Sequence, residues 1–189
     1  MLNHFKFIET LLSLQLIFIS SMIPISITLP ISEEFKKIIE IPITLQIPTV
    51  ILLSIIFRGK IVYKALNIYL FLGLFIIPIF HQGGSTGYLL SSNFGYLIGL
   101  YPLIRIIDNL NRTNNLSMIE FIKNGFKAIC YLHIIGIIYS FFLMIYYREF
   151  DIFLYNLGYF SLGKIGFHLL ILLPISLIIK PIKILKNSK

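Results

Sequence analysis

Lys164 and His168 stand one helical turn apart inside an apolar run. A lysine there either snorkels its ammonium to a membrane interface or holds a fixed positive charge toward a carboxylate. Gln46 and Asn93 each sit near the start of another apolar run. Their amides both donate and accept, which suits a neutral urea- or amide-like group, or else a hydrogen bond between helices. Between them lies a polar break, His81-Gln82-Gly83-Gly84-Ser85-Thr86-Gly87, where bare backbone can meet a small polar ligand; Tyr96 follows it. The candidate binding residues are Gln46, His81, Gly83, Gly84, Asn93, Tyr96 and Lys164. Their chemistry is recognition rather than bond making.

Catalytic constellations do not assemble from the sequence. Glu33, Glu34, Glu40, Glu149 and Asp151 fall in polar connections, and Glu9 and Glu120 near helix starts. Asp108 follows Arg105 by three residues, which places both on one helix face and reads as an internal salt bridge. His4, His81, His133 and His168 are scattered without metal-ligand spacing, and His133 reads as a packing residue. No glycine loop ends in the Lys-Ser/Thr of a nucleotide-binding P-loop, so ATP would have to be hydrolysed by another subunit. Cys130 is the single cysteine, lies in an apolar run, and reads as a small buried residue. The expectation is a protein with no catalytic residue, no metal and no cofactor.

The elements that position these side chains are membrane spans. Of 189 residues, 57% are hydrophobic and only 13% charged, and the mean hydropathy is +0.89. A soluble domain carries roughly 25% charged residues, so lipid must stand in for the missing polar surface. The net charge of +8 is spread between apolar spans, which points to topology and lipid headgroups rather than nucleic acid. Tyr takes the interfacial role, since there are 11 Tyr and no Trp. Six apolar segments are long enough to span, near residues 7–29, 42–57, 61–80, 93–111, 119–147 and 159–179. The first reads as a retained helix rather than a signal peptide. With the N-terminus inside, twelve of the sixteen Lys and Arg fall on the cytoplasmic side; Lys36, Lys37, Arg148 and Lys164 are the four outside. That bias predicts both termini in the cytoplasm and three outer loops converging over one pocket. Pro24, Pro42, Pro48, Pro78, Pro102 and Pro174 predict kinked or partly unwound helices, as found along transporter substrate sites, or plain bending.

Pro42-Ile43-Thr44-Leu45-Gln46 resembles the PITLQ motif of the BioY family, the biotin-binding S components of energy-coupling factor (ECF) transporters. The family's Pro-x-Phe and glycine-rich loop correspond to Pro78-Ile79-Phe80 with Gly83, Gly84 and Gly87. Its GPTGGYL-like motif resembles Ser91-Ser92-Asn93-Phe94-Gly95-Tyr96-Leu97, with the first half altered. Where the family has Pro-Gly-Asp-x-x-Lys before its last helix, this chain has Leu162-Gly163-Lys164-Ile165-Gly166-Phe167; the Asp is Lys164 and the Lys is Phe167. The small Ala motif of the first helix is replaced by Ser13, Ser20 and Ser21.

The resemblance implies an all-α integral membrane protein, residues 1–189 forming one transmembrane domain of six helices in an S-component-like bundle. It implies biotin as substrate, with a transmembrane coupling subunit and two ATPase subunits as partners, lipid around it, and no nucleic acid. Gln46 and Asn93 would contact the ureido ring, Tyr96 would pack on the bicyclic body, and Lys164 would pair with the valerate carboxylate. Either Lys164 takes the cationic role or the ligand is another small vitamin. The alternative is a non-transporting assembly subunit of a larger membrane complex, its pocket filled by Phe and Tyr. The expected location is a bacterial plasma membrane, with an organelle membrane as the alternative.

Overall fold

In the computed structural model, residues 2–30, 36–80, 83–111 and 117–187 are described. Helix α1 (Leu2–Met22) ends earlier than the apolar pattern predicts. The chain instead enters strand β1 (Pro24–Pro30), which pairs antiparallel with β2 (Lys36–Thr44), Ile25 opposite Ile41 and Leu29 opposite Lys37. The structure is mostly helical, as expected, and this hairpin is its departure from an all-α bundle. Pro24 cannot donate to a helical ladder, and Ile23, Ile25, Ile27 and Thr28 are β-branched, so the same apolar run is better suited to a strand. The base of the hairpin is closed by Leu45 N–H donating to the Ile23 carbonyl at 3.0 Å.

Helix α2 (Gln46–Ile56) therefore starts at Gln46 rather than Pro42. Its eleven residues span roughly 16 Å, about half of a ~30 Å hydrocarbon core, and the hairpin occupies the length before it. Helix α3 (Gly59–Phe75) follows after a tight joint. The Gly59 N–H donates to Asp108 Oδ1 at 2.8 Å, so a carboxylate satisfies one of the unpaired donors at the α3 N-terminus. A side chain at position 59 would put Cβ 2.6 Å from the Asp108 carboxyl carbon, so the contact requires glycine.

After α3 the chain leaves the helix at Ile76 and turns, Ile79 N–H donating to the Ile77 carbonyl at 2.8 Å, where the pattern predicts a helix to Phe80; it then reverses. A 3₁₀ turn (Thr86–Leu90) leads into α4 (Ser92–Ile98) and α5 (Leu100–Asn111), which meet at Gly99. Helix α6 (Met118–Tyr147) opens with a capping box: Glu120 N–H donates to Ser117 Oγ and Ser117 N–H to the Glu120 carboxylate. The last helical stretch begins earlier than expected, as α7 (Phe150–Asn156), a π turn (Leu157–Leu162), α8 (Gly163–Leu170) and α9 (Leu172–Asn187).

Helix α6 packs on α4, α5, α8 and α9, while α1 packs on α2 and α3. The core joins Ile51, Leu66, Leu103, Ile107, Phe121 and Leu132. Ser13, Ser20 and Ser21 are buried and donate to their own backbone, so the small-residue face of α1 is spent inside the bundle. The outer surface is apolar instead: Phe7, Phe142 and Leu177 are 68%, 62% and 69% exposed. Among the described residues, His4–Met22, Met118–Tyr147 and Phe150–Ile179 are long and apolar enough to cross a bilayer.

Candidate ligand-binding cavity

A cavity of about 500 Å³ opens where the hairpin, the 3₁₀ turn and the last helical stretch meet over the bundle. Sites for small molecules usually hold ~300–1,000 Å³, with mostly apolar walls and a few placed polar groups. Pro24, Ile41, Ile43 and Thr44 line it from the hairpin, and Gln46 and Ile47 from α2. Tyr69 of α3 and Tyr88 of the turn add aromatic wall, Asn93, Tyr96 and Leu97 come from α4, and Leu132 from α6. Tyr159, Phe160, Lys164 and His168 complete it.

Four sequence candidates thus come together: Gln46, Asn93, Tyr96 and Lys164. Gln46 reaches the wall because α2 starts at that residue, directly after the hairpin. Its Nε2 is buried and has no hydrogen-bond partner among the described residues. Leaving a buried donor unpaired costs about 1–3 kcal/mol, so a ligand acceptor there would gain that much. Lys164 Nζ lies 4.7 Å from the ring centroids of both Tyr159 and Phe160. Two aromatic faces hold the ammonium in place.

Gly83 and Gly84 are not among the residues that line this cavity. Gly83 exchanges backbone hydrogen bonds with Phe80, at 2.8 and 3.0 Å, and has φ of 129°. Gly84 packs so close to Pro78 and the Gly73 carbonyl that a Cβ would lie 2.5 Å and 2.7 Å from them. The two glycines shape the reversal that seats Phe80 and Tyr88. His81 lies outside the described residues.

Two of the histidines scattered in sequence come together, and His133 is buried with both ring nitrogens hydrogen-bonded. His133 and His168, 35 residues apart in sequence, meet with His133 Nε2 3.0 Å from His168 Nδ1. His133 Nδ1 is 3.2 Å from Ser161 Oγ, which is 2.6 Å from the Tyr96 hydroxyl. A continuous polar chain, Tyr96–Ser161–His133–His168, thus runs behind the cavity wall. His133, Ser161 and His168 are all buried, so the chain's internal bonds satisfy groups that would otherwise be costly. Glycine at 136 makes room for it, because a Cβ there would sit 2.4 Å from the Tyr96 ring. Among the described residues no three His, Cys, Asp or Glu side chains gather as a metal site. Sequence reasoning missed His133, Ser161, Tyr159 and Phe160; the Lys164/His168 spacing was the only pointer to this wall.

The fold defines a class. The structure superposes with a TM-score of 0.62 on the crystal structure of the S-component for biotin from an ECF-type ABC transporter, at 18% identity. The match covers 94% of this chain and 92% of that one, so the two share a fold. No curated protein matches the sequence. The BioY family profile matches residues 3–179, and the chain belongs to the BioY family. It is an integral membrane protein of a family of transporter substrate-binding components rather than of enzymes.

Proposed function

We propose that the chain is the substrate-binding S component of an ECF-type transporter and that its cavity takes biotin. Family membership and the shared fold support the class. The observation that carries the ligand is the pairing of two polar features in one largely apolar cavity: the buried Gln46 Nε2, which has no hydrogen-bond partner among the described residues, and the ammonium of Lys164 held over the Tyr159 and Phe160 rings. Biotin is a compact bicycle bearing a cyclic urea and, on a flexible chain, a carboxylate. In this reading Gln46 and Asn93 meet the urea, Tyr96 packs on the bicycle, and Lys164 replaces the family's acidic residue and pairs with the valerate carboxylate.

The reading includes six spans: α1, the hairpin with α2, α3, α4 with α5, α6, and α7 to α9. Both termini lie in the cytoplasm, which the Lys and Arg bias supports. The hairpin then covers the cavity from outside. Capture from that side precedes exposure inward against a transmembrane coupling subunit, driven by two ATPase subunits in a bacterial plasma membrane. That the cavity is open rather than filled by Phe and Tyr supports this over an assembly subunit. The test is uptake of labelled biotin by cells lacking their own carrier, expressing this chain with a coupling protein and an ATPase pair. Uptake that requires the ATPases and is lost in Asn93→Ala/Lys164→Ala supports the proposal. Absence of uptake, with the chain co-purifying in an unrelated membrane complex, overturns it.

A further inference from the structure

The polar chain behind the cavity wall has a direction, and its end faces the cavity. His168 lines the cavity, and its Nδ1 is engaged by His133, which leaves the ring edge bearing Nε2 turned away from His133. In neutral imidazoles each ring carries one donor and one acceptor nitrogen, so the chain has two self-consistent arrangements with the same four protons. In one, the Tyr96 hydroxyl donates to Ser161 Oγ, the Ser161 hydroxyl to His133 Nδ1, and His133 Nε2–H to His168 Nδ1. His168 then presents Nε2–H to the cavity. In the other every bond is reversed and Nε2 is a bare acceptor. Lys164 lies one turn before His168 on α8, so both project from the same helix face.

We propose that His168 is a second ligand of the substrate carboxylate beside Lys164, and that Tyr96, Ser161 and His133 are positioning residues that hold His168 as the Nε2–H donor. The inference rests on the proposed ligand being an acid such as biotin. It makes the site selective for a carboxylate without a second cation next to Lys164, since a neutral donor adds a hydrogen bond and no like-charge repulsion.

The test compares biotin with biotinol, in which CH₂OH replaces the carboxylate, by titration of purified protein. The expected result is that Ser161→Ala and His168→Phe each weaken biotin roughly tenfold, the size of one lost hydrogen bond, and biotinol far less. A merely structural role for Ser161 would weaken both ligands alike. Nitrogen-15 spectra of histidine-labelled wild-type protein give a second readout needing no variant. With biotin bound, His168 should be protonated at Nε2 and bare at Nδ1. An unchanged biotin-to-biotinol ratio in both variants, or His168 protonated at Nδ1 in the biotin complex, overturns the relay while leaving biotin as the ligand. Failure of wild-type protein to bind biotin overturns both.

Discussion

Replacing Lys164 by Met isolates the charge from the rest of the side chain. The stem keeps its length and its packing against Tyr159 and Phe160, while the ammonium 4.7 Å from both rings is removed. Folding should change little. The cation–π contacts contribute about 0.5–2 kcal/mol, and relieving the desolvation cost of a partly buried cation offsets that loss. Binding should change a great deal. A hydrogen bond to a charged group contributes about 1.5–3 kcal/mol, so biotin affinity should fall roughly ten- to hundredfold. The decisive assay is a cycle of two proteins and two ligands. Wild-type protein should prefer biotin over biotinamide by about that factor, and Lys164→Met should bind the two within about threefold of each other. Calorimetric titration in detergent gives all four values. If Lys164→Met still prefers the acid by the wild-type ratio, the ammonium does not read the carboxylate.

Gln46→Leu separates stability from recognition: removing a buried amide nitrogen that has no partner among the described residues should leave thermal stability equal or higher, while biotin affinity drops about tenfold. Melting and titration of the same sample show whether the two move apart. Gly136→Ala touches no ligand, yet its Cβ would press 2.4 Å from the Tyr96 ring and push the hydroxyl off Ser161. It should cost about 1–3 kcal/mol of stability and weaken biotin severalfold, read by melting and titration of the same sample. Gly59→Ala drives a Cβ into the Asp108 carboxylate and displaces it from the α3 N-terminus. A fall of about 1–3 kcal/mol in unfolding free energy with unchanged biotin affinity is expected, because the site is remote from the cavity.

How much of this was legible in the sequence depended on range. Helix α6 could be read nearly to its ends, because a long apolar run begins just after Ser117-x-x-Glu120, a local capping signature. The hairpin could not be read, because a continuous apolar run does not separate strand from helix by periodicity. Only Pro24 and the β-branched composition favoured the strand. Gln46 and Lys164 stood out because a polar group in an apolar run is costly unless it has a partner or a task. Gly83 and Gly84 looked like bare backbone for a ligand, but their backbone is used by the reversal against Phe80 and Pro78, a demand no local pattern records. The His133–His168 contact is made by α6 and α8 packing together, so no spacing along the chain announces it.

The central claim is that this cavity holds biotin, and titration of the purified chain with biotin addresses it most directly. Saturable one-to-one binding is predicted, abolished in Asn93→Ala/Lys164→Ala protein that still melts cooperatively. No saturable heat from the wild-type chain, or equal binding by that double variant, would contradict it.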